Sequence, residues 1–274
     1  MNKLLFFLLF PLLFSAQTHR FIYEYHYKTN PENTEYEKTN MHLDINPDEV
    51  KFYERAYAEN DSLNKVRTYF NTIWNDTPQI VRRRSSDINR NYVLMNAYYV
   101  YETEDKINWK LSDETKTSGN YQLQKATADF GGRSWIAWFA KDLNLSEGPY
   151  KFRGLPGMIF EVEDTDKNFL FKLVKSQKFD TTYDTKDFIE SFAREKALPV
   201  NLKTVQKKQL EQFNDPLQEM RENFDPNMEG EFRVMNIKVT SKDQFPELTR
   251  IYQNYMRKNH NPIEPANAVK YPEK

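Results

Sequence analysis

A period of two in apolar and aromatic residues runs through most of residues 20–177 and constrains the fold more than any other feature. In RFIYEYHY, which begins at Arg20, every second residue is aromatic. Polar joints such as NPDE, ETED, SDETKTSG and EDTDKN separate the runs that follow. There are eight of these runs, each of 6–11 residues: NMHLDI, EVKFYERAYA, NYVLMNAYYVY, KINWKL, YQLQKATAD, RSWIAWFA, GMIFEVED and NFLFKLVKSQ. This period is typical of strands with one buried face. Because connections this short favour hairpins over parallel crossovers, the sequence predicts an antiparallel sheet.

The pattern becomes helical after about residue 183. TKDFIESFAREKAL, which begins at Thr185, has apolar residues on one helical face, and FPELTRIYQNYMRKNH is a further candidate helix. Between them lies an amphipathic stripe of residues three and four apart: Leu210, Phe213, Leu217, Met220 and Phe224. Asp215 and Pro216 interrupt this stripe in N-cap and N1 order, which predicts two helices or one kinked helix.

These two patterns together predict an α+β fold. We expect a curved, half-barrel-like antiparallel sheet of about eight to ten strands with the C-terminal helices packed against it, because amphipathic helices need a sheet to cover. Residues 60–90 fit neither period, and they are compatible with a strand or a short helix and a loop. We expect residues 17–274 to form a single domain.

Residues 1–16, MNKLLFFLLFPLLFSA, have the pattern of a secretory signal peptide. Lys3 supplies the positive charge, and an apolar run from Leu4 to Phe14 follows. A membrane-spanning helix needs roughly 20 apolar residues, so this run is too short to be one; a buried N-terminal helix is the alternative. We expect cleavage after Ala16 and export of the mature chain to the periplasm or the medium.

Composition excludes several kinds of site. The chain has no cysteine, which excludes thiol nucleophiles, disulfides, Cys-based metal sites and the Cys anchor of a bacterial lipoprotein. Its formal net charge of −1 gives no electrostatic basis for binding nucleic acid. The four histidines lack the spacing of a metal-binding pair. We therefore expect no metal, no cofactor, no nucleic-acid partner and no membrane span in the mature chain.

Five of the seven glycines lie between residues 131 and 157. Glycine is needed where the backbone adopts left-handed angles or makes a close approach. In GPYKFRGLPGMIFEV, Pro156 and Gly157 suit the two central positions of a type II turn. A phosphate-binding loop fits poorly, because a strand rather than a helix follows. We predict that this stretch sets the backbone geometry through Gly148, Pro149, Gly154, Leu155, Pro156 and Gly157.

The stretch GPYKFRGLPGMIFEVED resembles the signature of the GLPGLI family, exported proteins of Gram-negative bacteria. Here the hexapeptide is GLPGMI, with Met158 where the family usually has leucine. The likeness extends upstream over about residues 109–152 and downstream to NPIEPANA near the C-terminus. The family has no established activity, so the resemblance implies an export route without implying a reaction.

Aromatic and cationic residues surround these glycines and are candidates for ligand binding. If the strands around them are neighbours, their ends meet at one rim of the sheet, where aromatic walls beside cations suit an amphipathic anion such as a fatty acid or a peptide carboxylate. The candidates are Arg133, Trp135, Trp138, Tyr150, Lys151, Phe152 and Arg153. The alternative is that the aromatic side chains lie in the core and the cations face solvent.

Two functions from different classes are compatible with the sequence. The first is a non-enzymatic envelope protein that binds an apolar or peptide ligand, or an outer-membrane protein partner. The second is a hydrolase that uses carboxylate acid–base chemistry, for which Glu161 and Glu163 on one strand face are an example. We assign no catalytic residue. An apolar pocket without convergent polar groups would support the first function, and a buried carboxylate pair with a raised pKa beside a cleft would support the second.

Overall fold

The computed structural model describes residues 17–227 and 230–273, so the predicted signal peptide lies outside the described residues. In chain order the strands are β1 (Thr18–Tyr27), β2 (Glu37–Ile45), β3 (Glu49–Glu54), β4 (Gln79–Arg83), β5 (Ile88–Leu94), β6 (Tyr98–Glu104), β7 (Lys110–Ser118), β8 (Tyr121–Phe130), β9 (Arg133–Ala140), β10 (Met158–Asp164), β11 (Phe169–Phe179), β12 (Ser191–Phe192), β13 (Glu195–Lys196), β14 (Leu198–Val200), β15 (Arg233–Val234) and β16 (Ile237–Lys238). The helices are α1 (Arg55–Asn64), α2 (Leu202–Asn214), α3 (Gln218–Glu222) and α4 (Phe245–Lys258).

Twelve of these strands form one open, curved sheet in the order β14-β6-β5-β4-β3-β2-β1-β11-β10-β9-β8-β7. Its neighbouring strands run antiparallel, except that β14 lies parallel to β6. Most neighbours are also consecutive in the chain, as the short polar joints predict, and the pairing of β1 with β11 joins the two halves of the sheet. The α+β fold with a curved antiparallel sheet is therefore confirmed. The sheet has twelve strands, two more than the upper end of the predicted range of eight to ten.

The main core lies on the inner face of the sheet, which we define as the face that carries Tyr25 and Phe52. The register pairs Tyr23 with Met41 and Leu43 with Phe52, so the apolar residues of successive strands meet on this face. All of these side chains are buried. Aromatic residues spaced by two in the sequence thus become one continuous layer, because alternate strand residues share a face.

The outer face carries a second cluster that includes Tyr53, Val81 and Tyr98, and residues 183–197 cover part of it. The helix predicted over TKDFIESFAREKAL is wrong: the segment makes one turn and then the β12–β13 hairpin. Ile189 packs against this cluster, and its carbonyl accepts a hydrogen bond from the Tyr98 hydroxyl at 2.6 Å. Positive φ angles at Ala193 and Arg194 form the two-residue turn.

Further boundaries differ from the sequence prediction, and NYVLMNAYYVY belongs to the two paired strands β5 and β6 instead of one. The run EVKFYERAYA is not one strand, since β3 ends at Glu54 and α1 begins at Arg55. In KINWKL only the last two residues belong to a strand, whereas the predicted joint SDETKTSG lies mostly within β7. Strand β7 is at the edge of the sheet and largely exposed, so it needs no apolar face, and charged residues discourage edge-to-edge association there.

The C-terminal stripe forms two helices as predicted, but Asp215 is the C-cap of α2 and Leu217, not Asp215, is the N-cap of α3. Helix α2 ends at Asn214 and α3 begins at Gln218, so two helices flank the Asp215–Pro216 interruption. The Asn201 side chain caps α2 by accepting from the Thr204 N–H. Within residues 17–227 and 230–273, no helix is both long and apolar enough to cross a membrane.

Candidate ligand-binding cavity

A cavity of about 500 Å³ lies at the inner face of the sheet, between β1, β5, β6 and residues 259–271, which we call the C-terminal segment. This volume is within the range of sites for small molecules and short peptides. Six tyrosines are among the residues that line it: Tyr25, Tyr27, Tyr92, Tyr101, Tyr150 and Tyr271. Polar side chains of Asn91 and Thr103 also line it. We call it the tyrosine cavity.

Stacked tyrosine rings form one wall of the tyrosine cavity. The Tyr25 and Tyr27 rings lie 4.8 Å apart, and the Tyr25 ring also stacks on Phe171 at 4.4 Å. Burial, with a smaller contribution from Glu37, raises the pKa of Tyr27 to about 12. The Tyr27 hydroxyl is therefore a neutral hydrogen-bonding group at physiological pH.

Two carboxylates beside this wall, Asp76 and Glu54, form no ion pair with any residue that the structure describes. Asp76 lines the cavity with a φ of 54°, and burial raises the pKa of its carboxyl, opposed by a hydrogen bond from Trp74. The nearby carboxylate of Glu54, a residue only 5% exposed, accepts hydrogen bonds from the neutral side chains of Asn75 at 2.9 Å and Thr77 at 2.8 Å. Asp76 is solvent-exposed although it lines the cavity, so the rise in its pKa comes from nearby protein atoms and not from full exclusion of water.

A buried ionic cluster lies at the wall formed by Tyr150, Lys151 and the C-terminal segment. The Lys151 ammonium lies 2.6 Å from a Glu264 oxygen and 3.2 Å from an Asp105 oxygen. The Tyr150 hydroxyl donates to the same Glu264 carboxylate. Burial, followed by the charge of Glu264, raises the pKa of Tyr150 well above its usual value. One lysine thus neutralises part of the charge of two carboxylates.

The C-terminal segment packs directly on the turn between β8 and β9. The Ala266 N–H donates to the Gly131 carbonyl at 2.9 Å. A Cβ atom at Gly131 would lie 2.6 Å from Glu264 Cγ, so this close approach requires glycine. Gly131 and Gly132 have φ angles of 64° and 90°, which suit a two-residue hairpin turn. Part of the glycine concentration is therefore explained by the docking of the segment that carries Glu264.

The stretch from Gly148 to Gly157 forms a compact double turn, which differs from the predicted type II turn. The Gly157 N–H donates to the Leu155 carbonyl at 2.8 Å, and the Met158 N–H donates to Leu143 at 3.2 Å rather than to Leu155. This is a three-residue turn. A Cβ atom at Gly157 would lie 2.2 Å from the Ala140 carbonyl oxygen, so the turn packs against the end of β9.

Of the seven predicted ligand-binding residues, Tyr150 and Lys151 line the tyrosine cavity. Trp135 and Phe152 lie in the main core, with ring centroids 4.5 Å apart. Trp138 lies on the outer face, where the Lys116 ammonium is 4.5 Å from its ring centroid. The structure therefore does not bring these aromatic residues to a single rim.

The two predicted arginines bind protein groups. Arg133 donates to the Asn261 side chain at 2.6 Å and to the Pro262 carbonyl at 3.0 Å, and it pairs with Asp164 at 3.2 Å. Arg153 donates to the Ser86 carbonyl at 2.8 Å. Arg133 therefore fixes the start of the C-terminal segment next to the cavity.

Sequence reasoning missed the carboxylates of the cavity. Asp76 lies in the stretch that fitted neither period, so no pattern marked it. Glu264 lies in NPIEPANA, where the family resemblance was the available signal. The carboxylates that the sequence did single out, Glu161 and Glu163, form ion pairs with Lys116 and Lys167 at 2.8 and 2.6 Å, away from the cavity. No metal-binding group of three or more acidic or histidine residues occurs in the described ranges.

Comparisons with known proteins support the fold and leave the activity open. Residues 132–161, which contain β9 and the double turn, match a family described as a protein of unknown function (Porph_ging). Comparison with curated proteins gives no match. Two crystal forms of PNGF-II, in space groups C2 and P21, are similar with TM-scores of 0.50 and 0.51 and identities of 15% and 13%. The likeness covers 70% of this chain and 32% and 33% of theirs, so the chain spans about a third of those structures and shares a fold with part of them.

Proposed function

We propose that the protein is a non-enzymatic binding protein and that its tyrosine cavity takes a peptide-like ligand. The observation that carries this proposal is a cavity of about 500 Å³ in which tyrosine rings and polar side chains converge. Flat rings supply apolar contact, and polar groups fix the orientation of a ligand.

The polar lining differs from the apolar pocket expected of a binding protein, and it favours a peptide over the purely apolar ligand that the sequence left open. Asn91 and Thr103 already have hydrogen-bond partners in the protein, so the cost of covering these polar side chains with a fatty acyl chain falls mainly on the Asp76 carboxylate. Each buried polar group left without a partner costs about 1–3 kcal/mol. A peptide brings N–H and C=O groups of its own, so it can meet these side chains.

Export of the mature chain is part of this proposal. It rests on the signal-peptide pattern of residues 1–16 and on the resemblance of GLPGMI to the GLPGLI signature. In the periplasm or outside the cell, a loop or terminus of an outer-membrane protein would be one source of such a peptide.

Mass spectrometry of material that co-purifies with the exported chain tests this proposal. Val93 lines the cavity, whereas Val174 is exposed outside it. Val93→Trp therefore adds a large side chain inside the cavity, and Val174→Trp adds the same side chain outside it. We expect a bound peptide on the parent chain and on Val174→Trp, and its loss from Val93→Trp. A ligand retained by correctly folded Val93→Trp, or none on any of the three proteins, would contradict the proposal.

A hydrolase is the second candidate, and one observation favours it. Burial raises the pKa of Asp76 within the cavity, and a carboxyl with a raised pKa is suited to general acid catalysis. Incubating the co-purified peptide with the protein distinguishes the two functions. A binding protein returns the peptide with its mass unchanged. A hydrolase produces fragments, and Asp76→Asn would abolish them.

A further inference from the structure

Carboxylates outnumber cations around the Tyr25–Tyr27 wall. Glu37 lies opposite Tyr27 in the β1–β2 register, and Asp76 lines the cavity with both residues. The Glu54 carboxylate accepts hydrogen bonds from Asn75 and Thr77, the residues on either side of Asp76. The hydrogen bonds recorded for Asp76 and Glu54 come from neutral side chains. Lys28 also lines the cavity, but its ammonium lies 5.2 Å from the Tyr36 ring centroid, and it forms no ion pair within the described residues.

We infer that this end of the tyrosine cavity binds a cationic group of the ligand, an amine or a guanidinium, between the Asp76 carboxylate and the tyrosine rings. The inference rests on the proposed function and specifies the chemistry of the ligand. A cation is attracted to the face of an aromatic ring, and the attraction grows when water is excluded. The cavity provides the aromatic faces, because Tyr25, Tyr27 and Trp74 line it with Asp76. Asp76 is solvent-exposed, so water is excluded there only when a ligand covers it.

The charge of the bound group follows from the cost of leaving carboxylates unpaired. Burial disfavours an ionised carboxylate unless an opposite charge or sufficient hydrogen bonds compensate it. A ligand cation would provide that charge for Asp76, whereas an anion would add repulsion. The inferred ligand charge is therefore opposite in sign to that of the amphipathic anion expected from the sequence. That expectation depended on Arg133, Lys151 and Arg153, which contact protein groups instead.

The remainder of the cavity is compatible with a cationic side chain on a longer ligand. At the other wall, Lys151 already pairs with Glu264 and Asp105, so protein carboxylates balance its positive charge. Asn91 and Thr103 lie on neighbouring strands there, joined by a hydrogen bond of 3.0 Å. A peptide that carries lysine, arginine or a free amino terminus at the Asp76 end has the required charge.

Three ring compounds of the same size isolate the effect of charge: benzamidine, which is cationic, benzamide, which is neutral, and benzoate, which is anionic. Isothermal titration calorimetry with the purified full chain measures each Kd. We expect benzamidine to bind about tenfold more tightly than benzamide, and benzoate to bind most weakly.

Asp76→Asn and Glu102→Gln are the matched variants, because each removes one carboxylate. Asparagine tolerates the left-handed backbone at this position, so Asp76→Asn should fold. Glu102 is exposed on β6 and faces away from the cavity. We expect Asp76→Asn to lose the preference for benzamidine and Glu102→Gln to keep it.

The outcomes distinguish this inference from the proposed function. Equal binding of benzamidine and benzamide, or a preference that persists in Asp76→Asn, overturns the cation site and leaves a ligand-binding cavity. If none of the three compounds binds and no peptide co-purifies, both the cation site and the proposed function fail.

Discussion

The ammonium of Lys151 lies 2.6 Å from the carboxylate of Glu264, and their side chains are only 2% and 8% exposed. Lys151 comes from the double turn between β9 and β10, and Glu264 from the C-terminal segment. Asp105, after β6, lies on the other side of the same ammonium at 3.2 Å. Three distant parts of the chain therefore meet at one buried lysine beside the tyrosine cavity.

Replacing this lysine should be strongly destabilising. Lys151→Met keeps most of the apolar stem but leaves the Glu264 and Asp105 carboxylates without their counter-charge. Removing one partner of a buried ion pair costs about 3–5 kcal/mol, and we expect a loss in this range from urea denaturation. Lys125→Met is the control, since its partner Glu114 is 62% exposed, and an exposed pair contributes about 1 kcal/mol or less. Equal losses for the two variants would contradict the prediction.

The sheet could be predicted from the sequence because its signal is local. A strand reveals its buried face through a period of two, and short polar joints indicate which strands are neighbours. Strand β7 was missed because an exposed edge has no apolar period. In TKDFIESFAREKAL the spacing of Phe188, Ile189 and Phe192 suited a helix, but all three pack in the outer-face cluster from a turn and the hairpin that follows it. Tertiary contacts outweighed local propensity there.

The candidate site was less predictable because its contacts join residues far apart in the sequence. Periodicity reports on neighbours, and it carries no information on whether Lys151 meets Glu264 or whether Arg133 binds Asn261 and Pro262. The glycine-rich stretch was correctly recognised as unusual. The need for two of its glycines becomes clear only when their partners are known, Glu264 for Gly131 and Ala140 for Gly157.

Gly157→Ala should destabilise the double turn. Its Cβ atom would lie 2.2 Å from the Ala140 carbonyl oxygen, so backbone must move, and forced overpacking costs about 1–3 kcal/mol. Gly154→Ala is the matched control: it also has a positive φ, of 91°, but no atom lies within 4 Å of the added methyl group. We expect about 1 kcal/mol for the control from backbone strain alone and about 3 kcal/mol for Gly157→Ala, by thermal unfolding. A melting midpoint for Gly157→Ala at or above that of the control would rule out the steric explanation.

His42 should make the protein less stable at mildly acidic pH. Burial, with smaller contributions from Arg20 and Arg55, lowers the pKa of His42 to about 3. In the unfolded chain a histidine has a pKa of about 6.5, so between these values only the unfolded state takes up this proton. The stability from neutral His42 is complete above about pH 6.5 and declines by about 1.4 kcal/mol per pH unit below it.

The measurement is the free energy of unfolding in urea at pH 8, 7 and 5 for the parent chain and for His42→Gln. From pH 7 to 5, the parent chain should lose about 2 kcal/mol more than the variant, because the variant has no proton to take up at this position. From pH 8 to 7 the two proteins should change nearly in parallel. A difference between pH 7 and 5 that is the same in both proteins would show that His42 does not cause the loss.

The β12–β13 hairpin offers a stabilising substitution. Ala193 and Arg194 have φ angles of 50° and 70°, and a left-handed backbone costs an ordinary residue about 1–2 kcal/mol. Asparagine is favoured at the first central position of such a turn, and Ala193 is exposed, so its replacement removes no core contact. We expect Ala193→Asn to raise the free energy of unfolding by about 0.5–1 kcal/mol. Ala197→Asn, at a partly buried position against the outer-face cluster, should lower it. A gain from both variants, or a loss from both, would show that the left-handed turn is not the source of the effect.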